Sequence, residues 1–163
     1  MKFGSSDQKG WDKLLFPFML IFLLAWLVLM AFDSIRFKWS HVPFWLQMVG
    51  AGVLLISFFL LFLVFRENSY LSTVVRVQKD RGHEVISTGP YRYVRHPMYS
   101  AFLPFVVGTS LLLGSFIGVF IGIVFEILVA RRAVLEERAL MKELSGYSEY
   151  MAKVKYRLFP HVW

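Results

Sequence analysis

A short polar run in the middle of the chain carries the side chains best suited to binding chemistry. Arg95, His96 and Tyr99 lie within about one helical turn of each other, and Pro97 fits the first turn of a helix, where its missing N–H costs nothing. The run lies directly before a long apolar stretch. A cation, an imidazole and a phenol in this position suit a site that binds a polar ligand at a membrane surface. They equally suit a helix end anchored among lipid headgroups.

A second ionisable group follows the apolar stretch. Glu136 and Glu137 are suited to binding hydroxyl or ammonium groups. They are also consistent with an ordinary solvated helix face, because Arg132 and Glu136 have the i, i+4 spacing of a surface pair. Glu126 lies at the edge of the apolar stretch itself. Ionisable residues at that depth usually face a cavity or a partner.

Several other chemistries are excluded or disfavoured. The chain has no cysteine, which excludes a disulfide, a thiolate nucleophile and a cysteine metal site. Its four histidines, at 41, 83, 96 and 161, lack the spacing of metal ligands, so no metal site is predicted. There is no glycine-rich nucleotide loop and no Ser-His-Asp pattern. The basic residues flank apolar runs, so nucleic acid is not an expected partner.

The composition predicts an all-α integral membrane protein, since 57% of the 163 residues are hydrophobic and 17 are Phe. We expect about four transmembrane helices, including a helical hairpin, with a short cytoplasmic β-hairpin or loop and a C-terminal helix. The first apolar run is too long for a cleavable signal peptide. One membrane-embedded domain, 1–163, is divided into span 1 (14–32), span 2 (42–65), a cytoplasmic cofactor loop (66–97), a helical hairpin (98–129) and a cytoplasmic helix and tail (130–163).

The hairpin is inferred from the distribution of positive charge. The residues before span 1, the 66–97 loop and the segment from Glu126 onward carry three, six and seven of the 18 Lys and Arg residues. If all three face the cytoplasm, 16 of 18 cations are inside, as the positive-inside rule favours. This requires the apolar stretch to turn back near Gly114-Ser115, with Gly118 and Gly122 allowing close packing. Both termini and the active site are then cytoplasmic, in a multi-pass protein.

The cytoplasmic loop has the pattern of a β-hairpin. Residues 73–78 are rich in β-branched side chains, 79–82 read as a turn, and 83–88 could return as a second strand. Because an isolated hairpin is marginally stable in water, we expect it to lean on helix ends or headgroups.

The motifs of the chain resemble a known family. Gly89-Pro90-Tyr91, Arg95-His96-Pro97-Met98-Tyr99, Glu136-Glu137-Arg138-Ala139-Leu140 and Arg157-Leu158-Phe159-Pro160 are similar to those of the isoprenylcysteine carboxyl methyltransferase family, within the wider group that includes phospholipid methyltransferases. The similarity covers roughly Asn68 to Pro160. The first two spans carry no diagnostic residue.

The resemblance implies a membrane methyltransferase that uses S-adenosylmethionine and releases S-adenosylhomocysteine. Its acceptor would be a membrane lipid or a lipidated small molecule or protein, such as a prenylcysteine carboxyl or a phospholipid amine, and anionic headgroups would contact the basic surface. The implied catalytic residues are Arg95, Arg132 and Glu137. The implied cofactor-binding residues are Gln78, His83, Glu84, Val85, Ile86, Tyr91, His96, Pro97, Met98, Tyr99 and Glu137.

Two positions depart from the family pattern. Ala101 occupies a place that is often Gly. Ala133 stands where relatives with prenylated substrates have an arginine facing the substrate carboxylate, with Arg132 beside it. A carboxylate nucleophile would need a nearby Arg, whereas an amine nucleophile would need a base such as Glu126 or Glu137. Two alternatives stay open: a sterol-reductase-like membrane reductase that uses NADPH, and a non-catalytic membrane protein that binds partners or anionic lipid.

Overall fold

The described part of the chain is helical. The computed structural model describes residues 9–72, 74–75 and 82–163. These residues contain five α-helices: α1 (Asp12–Ala31), α2 (Phe44–Glu67), α3 (Pro97–Leu112), α4 (Phe116–Glu143) and α5 (Tyr147–Lys153). A π-helical turn, Phe32–Phe37, extends α1, and a 3₁₀ turn, Gly89–Arg92, precedes α3.

Two of the helices are long and apolar enough to cross a membrane. They are α1 with its π-helical extension (Asp12–Phe37) and α2 (Phe44–Glu67). Many of their large hydrophobic side chains are exposed, including Ile21, Leu55 and Phe59. Water-soluble proteins rarely expose contiguous apolar surface on this scale, whereas lipid-facing helices do so throughout. The chain is therefore a membrane protein, and the two helices lie within a few residues of the predicted spans, 14–32 and 42–65.

Successive long helices run in opposite directions. Ser57 of α2 donates to the carbonyl oxygen of Ala101 in α3 at 2.8 Å, while Gly50 at the other end of the pair contacts Leu111. The main packing contacts join α2 to α3, α3 to α4 and α4 to α1. Residues 38–43 and 113–115 therefore lie at one end of the bundle. The described residues between 68 and 96 and helix α5 lie at the other, where the candidate site forms.

Small residues bring the helix backbones together. A Cβ atom on Gly122 would stand 2.0 Å from Val106 Cγ1, and one on Gly108 would stand 2.6 Å from the backbone nitrogen of Leu54. Contacts this short leave no room for a side chain. The expectation that Gly122 permits close packing in the hairpin is therefore met, and Gly108 serves the same purpose between α2 and α3.

A buried polar network closes the end of the bundle opposite the site. Ser115 precedes α4 and accepts from the backbone N–H of Gly118 at 2.8 Å, which caps the helix. Ser115 also donates to Asp33, which is completely buried. Ser40 donates to the same carboxylate at 2.7 Å from its hydroxyl and 2.9 Å from its backbone N–H. The turn near Gly114-Ser115 was predicted, and this network ties it to the connection between α1 and α2.

The predicted β-hairpin is not seen in the described residues. Residues 83–88 have no strand structure. The first expected strand, 73–78, falls largely outside the described residues. Instead of pairing with a neighbouring strand, the 83–88 segment packs its apolar side chains on the helices: Val85 contacts the buried cluster that contains Leu144 and Tyr147. Helix α4 continues unbroken from the predicted hairpin, 98–129, into the segment 130–163 that was predicted to begin with a helix, and it ends at Glu143.

Candidate active-site cleft

A cleft opens where the described residues that precede α3 meet the start of α3 and the end of α4. Its empty space, counting the part open to solvent, is about 710 Å³. The lining combines a few polar groups with many apolar ones, which is typical of small-molecule sites. It consists of Asn68, Leu71, Val75, His83, Glu84, Val85, Ile86, Tyr91, Arg95, His96, Pro97, Met98, Tyr99, Glu136, Leu140, Leu144, Tyr147 and Tyr150.

One buried carboxylate joins three segments of the chain behind this cleft. Glu137 is 1% exposed. Its Oε1 accepts from Arg95 Nε at 2.6 Å, and its Oε2 accepts from Arg157 Nε at 2.7 Å. Arg95 Nη1 also donates to the carbonyl oxygens of Val154 and Lys155, each at 2.7 Å. The loop, helix α4 and the C-terminal tail therefore meet at Glu137 in a set of charge-assisted hydrogen bonds.

These contacts determine the ionisation of Glu137. Burial by itself would raise the pKa of this carboxyl group, because it penalises the charged form. His96, Arg95 and Arg157 together outweigh that penalty and lower the pKa of Glu137 to about 2. The group is thus ionised at neutral pH and balances the charge of the two arginines.

Two buried polar atoms on the cleft wall have no hydrogen-bond partner among the described residues. They are Nε2 of His96 and the hydroxyl of Tyr147. The His96 nitrogen lies 3.3 Å from Glu137 Oε1, but the geometry is not that of a hydrogen bond. Unsatisfied polar atoms are rare in folded interiors. Both atoms lie on the wall of one cleft, where they are available to a polar ligand.

A relay of hydrogen bonds starts from the other glutamate. Glu136 lines the cleft, and its Oε2 accepts from the hydroxyl of Tyr99 at 2.8 Å. That hydroxyl accepts from Arg132 Nη1 at 3.0 Å, and Arg132 Nε donates to Asp12 at 3.1 Å. The ring of Tyr99 also stacks on that of His96, with centroids 5.6 Å apart. The orientation of Glu136 therefore depends on residues from α3, α4 and α1.

The 3₁₀ turn places Tyr91 in the cleft wall. Gly89 has φ +55°, a conformation that glycine adopts without strain, and Pro90 follows it in the turn. The hydroxyl of Tyr91 accepts from Asn68 Nδ2 at 2.8 Å, and its carbonyl oxygen accepts from the hydroxyl of Tyr150 at 2.7 Å. Burial raises the pKa of Tyr91 to about 12, so the phenol is neutral at physiological pH.

Most of the residues predicted for cofactor binding converge on the cleft. Nine of them line it: His83, Glu84, Val85, Ile86, Tyr91, His96, Pro97, Met98 and Tyr99. Gln78 lies outside the described residues. Arg95, predicted to be catalytic, also lines the cleft, but its side chain is bonded to Glu137 and the tail. Glu137 and Arg132 are not part of the lining, and their direct roles stay predictions.

Sequence reasoning missed part of the lining. Glu136 was considered in the sequence analysis but was not assigned to the site. Its spacing to Leu140 and Leu144 could have identified it, because positions i, i+4 and i+8 share one face of a helix. Asp12 had no signal, since it begins a span that carries no motif. Within the part of the chain that the structure describes, no group of three His, Asp or Glu side chains could bind a metal ion.

The lining fits the chemical groups of S-adenosylmethionine. Glu84 and Glu136 provide carboxylates for ribose hydroxyls or an ammonium group, and His96 Nε2 provides a polar partner for a carboxylate. Val85, Ile86 and Met98 provide an apolar surface of the kind that packs against a purine ring.

Comparison with known proteins gives a family. A family model described as phospholipid methyltransferase matches residues 45–147. The chain is 32% identical over 85 residues to a protein-S-isoprenylcysteine O-methyltransferase of Schizosaccharomyces pombe, with 51% of this chain and 36% of the relative covered. It is 28% identical over 143 residues to protein-S-isoprenylcysteine O-methyltransferase B of Arabidopsis thaliana, with 83% and 68% covered.

A similar match is found to the protein-S-isoprenylcysteine O-methyltransferase of Saccharomyces cerevisiae. That match is 35% identical over 86 residues, with 51% of this chain and 36% of the relative covered. The matched segment therefore spans about a third of the length of each yeast relative. Because the family model covers more than half of the chain, this protein belongs to the phospholipid methyltransferase family.

Proposed function

We propose that this chain is a membrane methyltransferase that uses S-adenosylmethionine to methylate a lipid-like or prenylated acceptor. The proposal rests on one observation: the segment that matches the family model contains nearly all of the residues that line the cleft. All of the cleft lining except Tyr150 lies inside the segment that matches the family, residues 45–147. The names of the relatives, protein-S-isoprenylcysteine O-methyltransferases, support the same reaction class.

The proposed roles follow from the polar groups that line the cleft. S-adenosylmethionine, when bound, supplies a methyl group on a positively charged sulfur. His96 donates from Nε2 to the carboxylate of the cofactor, and Glu136 binds its ammonium group. Glu84 binds ribose hydroxyls. Arg95 is a positioning residue, because its guanidinium is engaged by Glu137 and by two carbonyl oxygens of the tail.

Methyl transfer needs a positioned nucleophile and the exclusion of water more than it needs acid–base groups. The apolar part of the lining, including Leu140 and Leu144, keeps water away from the cofactor. The acceptor enters from the lipid with its chain between the helices and presents its polar end at the cleft. Both a prenylcysteine carboxyl and a phospholipid amine fit this arrangement.

The proposed topology has four spans, α1 to α4, with both termini and the cleft on the cytoplasmic side. At a rise of about 1.5 Å per residue, the 16 residues of α3 reach roughly 24 Å, less than the hydrocarbon thickness of about 30 Å. The start of α3, and with it His96, lies close to the level of the headgroups. The 28 residues of α4 reach roughly 42 Å, so its last turns extend into the cytoplasm.

A binding titration with the purified full chain in detergent or nanodiscs tests the proposal. S-adenosylhomocysteine should bind and NADPH should not. His96→Ala and the milder His96→Gln should both weaken binding, while His161→Ala, an exposed histidine at the same end of the bundle, should not. Binding of NADPH instead would indicate a reductase. Binding of neither ligand would remove the basis for a methyltransferase.

A further inference from the structure

Asp12, the first residue of α1, is a completely buried carboxylate close to the start of the chain. Burying a charge is costly unless the charge is paired and hydrogen-bonded. The first helix carries no motif residue of the resemblance, so nothing in the sequence marks this aspartate for a role in the cleft. Its contacts do.

One oxygen of Asp12 holds the chain beside the cleft. Oδ2 accepts from the backbone N–H of Val75 at 2.9 Å. The carbonyl oxygen of Val75 accepts from the backbone N–H of Lys9 at 3.3 Å. Both backbone polar groups of Val75 are therefore held by the segment that begins α1. Val75 lines the cleft, so this contact fixes one part of its wall directly.

The other oxygen of Asp12 reaches the cleft through two side chains. Oδ1 accepts from Arg132 Nε at 3.1 Å, and Arg132 Nη1 donates to the hydroxyl of Tyr99 at 3.0 Å. Because the Tyr99 oxygen accepts from Arg132, its own hydrogen is free to point at Glu136, 2.8 Å away. Asp12 holds Arg132, Arg132 holds Tyr99, and Tyr99 holds Glu136.

We propose that Asp12 is a positioning residue for the cleft, which fixes the wall at Val75 and sets the orientation of the Glu136 carboxylate. The inference rests on the proposed function, because the ligand of the cleft is taken to be the methyl donor or its product. It goes beyond that function by placing a determinant of cofactor affinity on the first helix. A simple anchor between α1 and α4 would use the same ion pair without affecting the cleft. Loss of an anchor would lower only the stability, whereas loss of a positioning residue would also weaken ligand binding.

Asp33 provides a matched control. It lies about 31 Å from Asp12, at the other end of the same helical segment, at a rise of about 1.5 Å per residue. It is also completely buried, and it is hydrogen-bonded by Ser40 and Ser115. Asp33→Asn therefore removes a carboxylate that is as buried as Asp12, but one that is held by serines and not by an arginine, and that has no connection to the cleft.

The experiment measures the affinity for S-adenosylhomocysteine by calorimetry and the thermal stability of each full-length variant. Asp12→Asn should bind about tenfold more weakly, because Arg132 loses its counter-ion and no longer orients Tyr99. Asp12→Ala should bind at least as weakly. Asp33→Asn should lower thermal stability and leave affinity within about twofold of wild type. Unchanged affinity in the Asp12 variants, or equal weakening by Asp33→Asn, would overturn the inference.

Hydrogen exchange at Val75 gives a readout that needs no ligand. Asp12→Ala removes the acceptor of the Val75 N–H and should speed its exchange, whereas Asp12→Asn retains one oxygen and should speed it less. If wild-type protein does not bind S-adenosylhomocysteine, the proposed function fails, and exchange at Val75 still decides whether Asp12 positions the wall. If Asp12→Ala leaves the exchange rate at Val75 unchanged, that result alone contradicts the positioning role of Asp12.

Discussion

Arg95 and Glu137 are 42 positions apart in the sequence, yet Arg95 Nε lies 2.6 Å from Glu137 Oε1. The α3–α4 hairpin produces this contact by returning the chain to the end of the bundle where it entered. Arg157 joins the same carboxylate from the tail. Glu137 thus fixes the shape of the cleft from behind, while its neighbour Glu136 forms part of the wall.

Glu136→Gln and Glu137→Gln should therefore have opposite profiles. Glu136→Gln keeps an oxygen that can accept from Tyr99, so it should cost less than about 1 kcal/mol of stability. It loses the charge that faces the ligand, so it should weaken S-adenosylhomocysteine binding about tenfold. Glu137→Gln leaves the buried Arg95 and the partly buried Arg157 short of a counter-charge and should cost about 3–5 kcal/mol of stability. Calorimetry and thermal unfolding of both variants separate the two effects.

A third residue of the same helix is the control for this comparison. Glu143 pairs with Lys9 in a partly exposed ion pair, so Glu143→Gln should change stability by less than about 1 kcal/mol and affinity not at all. A large loss of affinity in Glu137→Gln at unchanged stability would contradict the assignment and place Glu137 in contact with the ligand.

Acid should destabilise the folded protein through Glu137. Its pKa is about 2 in the folded protein against 4.5 in the reference state. Since the folded pKa is the lower one, the stabilisation is fully present above pH 4.5 and is lost as the pH falls towards 2, by about 3 kcal/mol in all. Melting temperatures measured from pH 6 to pH 3 should fall more steeply for wild type than for Glu137→Gln. If the melting temperatures of wild type and Glu137→Gln fall in parallel with pH, Glu137 is not the cause of the acid destabilisation.

Packing within the hairpin should be sensitive to one added methyl group. Gly122→Ala places a carbon 2.0 Å from Val106 Cγ1 and should destabilise the protein by about 1–3 kcal/mol. Val106→Ala removes the clashing carbon, so the double variant should recover part of the loss. Thermal unfolding of both single variants and the double variant measures this coupling, and strictly additive losses would argue against close contact at this point.

Cysteine labelling should decide the topology. The chain has no cysteine of its own, so each introduced thiol is the only one present. Tyr93→Cys and His161→Cys, both exposed at the cleft end, should react with an impermeant maleimide from the same side of the membrane. Lys38→Cys, exposed at the opposite end, should react from the other side. Labelling of positions 93 and 161 from opposite sides would exclude a membrane-spanning hairpin.

The features that the sequence predicted well depend on long-range pattern. The apolar runs and the distribution of Lys and Arg were sufficient to infer the first two membrane helices and the turn near Gly114. The hairpin then required His96 and the Glu136-Glu137 pair to approach each other, and the structure brings them together. The motif between Tyr91 and Tyr99 accounts for much of the cleft because it forms one continuous turn and helix start.

The features that the sequence did not predict depend on tertiary contacts. The β-branched residues of the cytoplasmic loop favoured strands, but Val85 gains more from packing on α5 than an isolated hairpin would offer. The difference between Glu136 and Glu137 depends on the rotation of α4 and on where the tail returns. The role of Asp12 depends on the packing of α1 against α4, which no local motif encodes.

The backbone of the motif is hydrogen-bonded to residues that are synthesised much later than the motif. The N–H groups of Arg95 and His96 donate to the carbonyl oxygens of Tyr156 and Arg157, each at 2.9 Å. A ribosome must therefore add some sixty further amino acids after His96 before the pocket has its supporting layer. Until then a nascent chain can insert its helices but has no finished site.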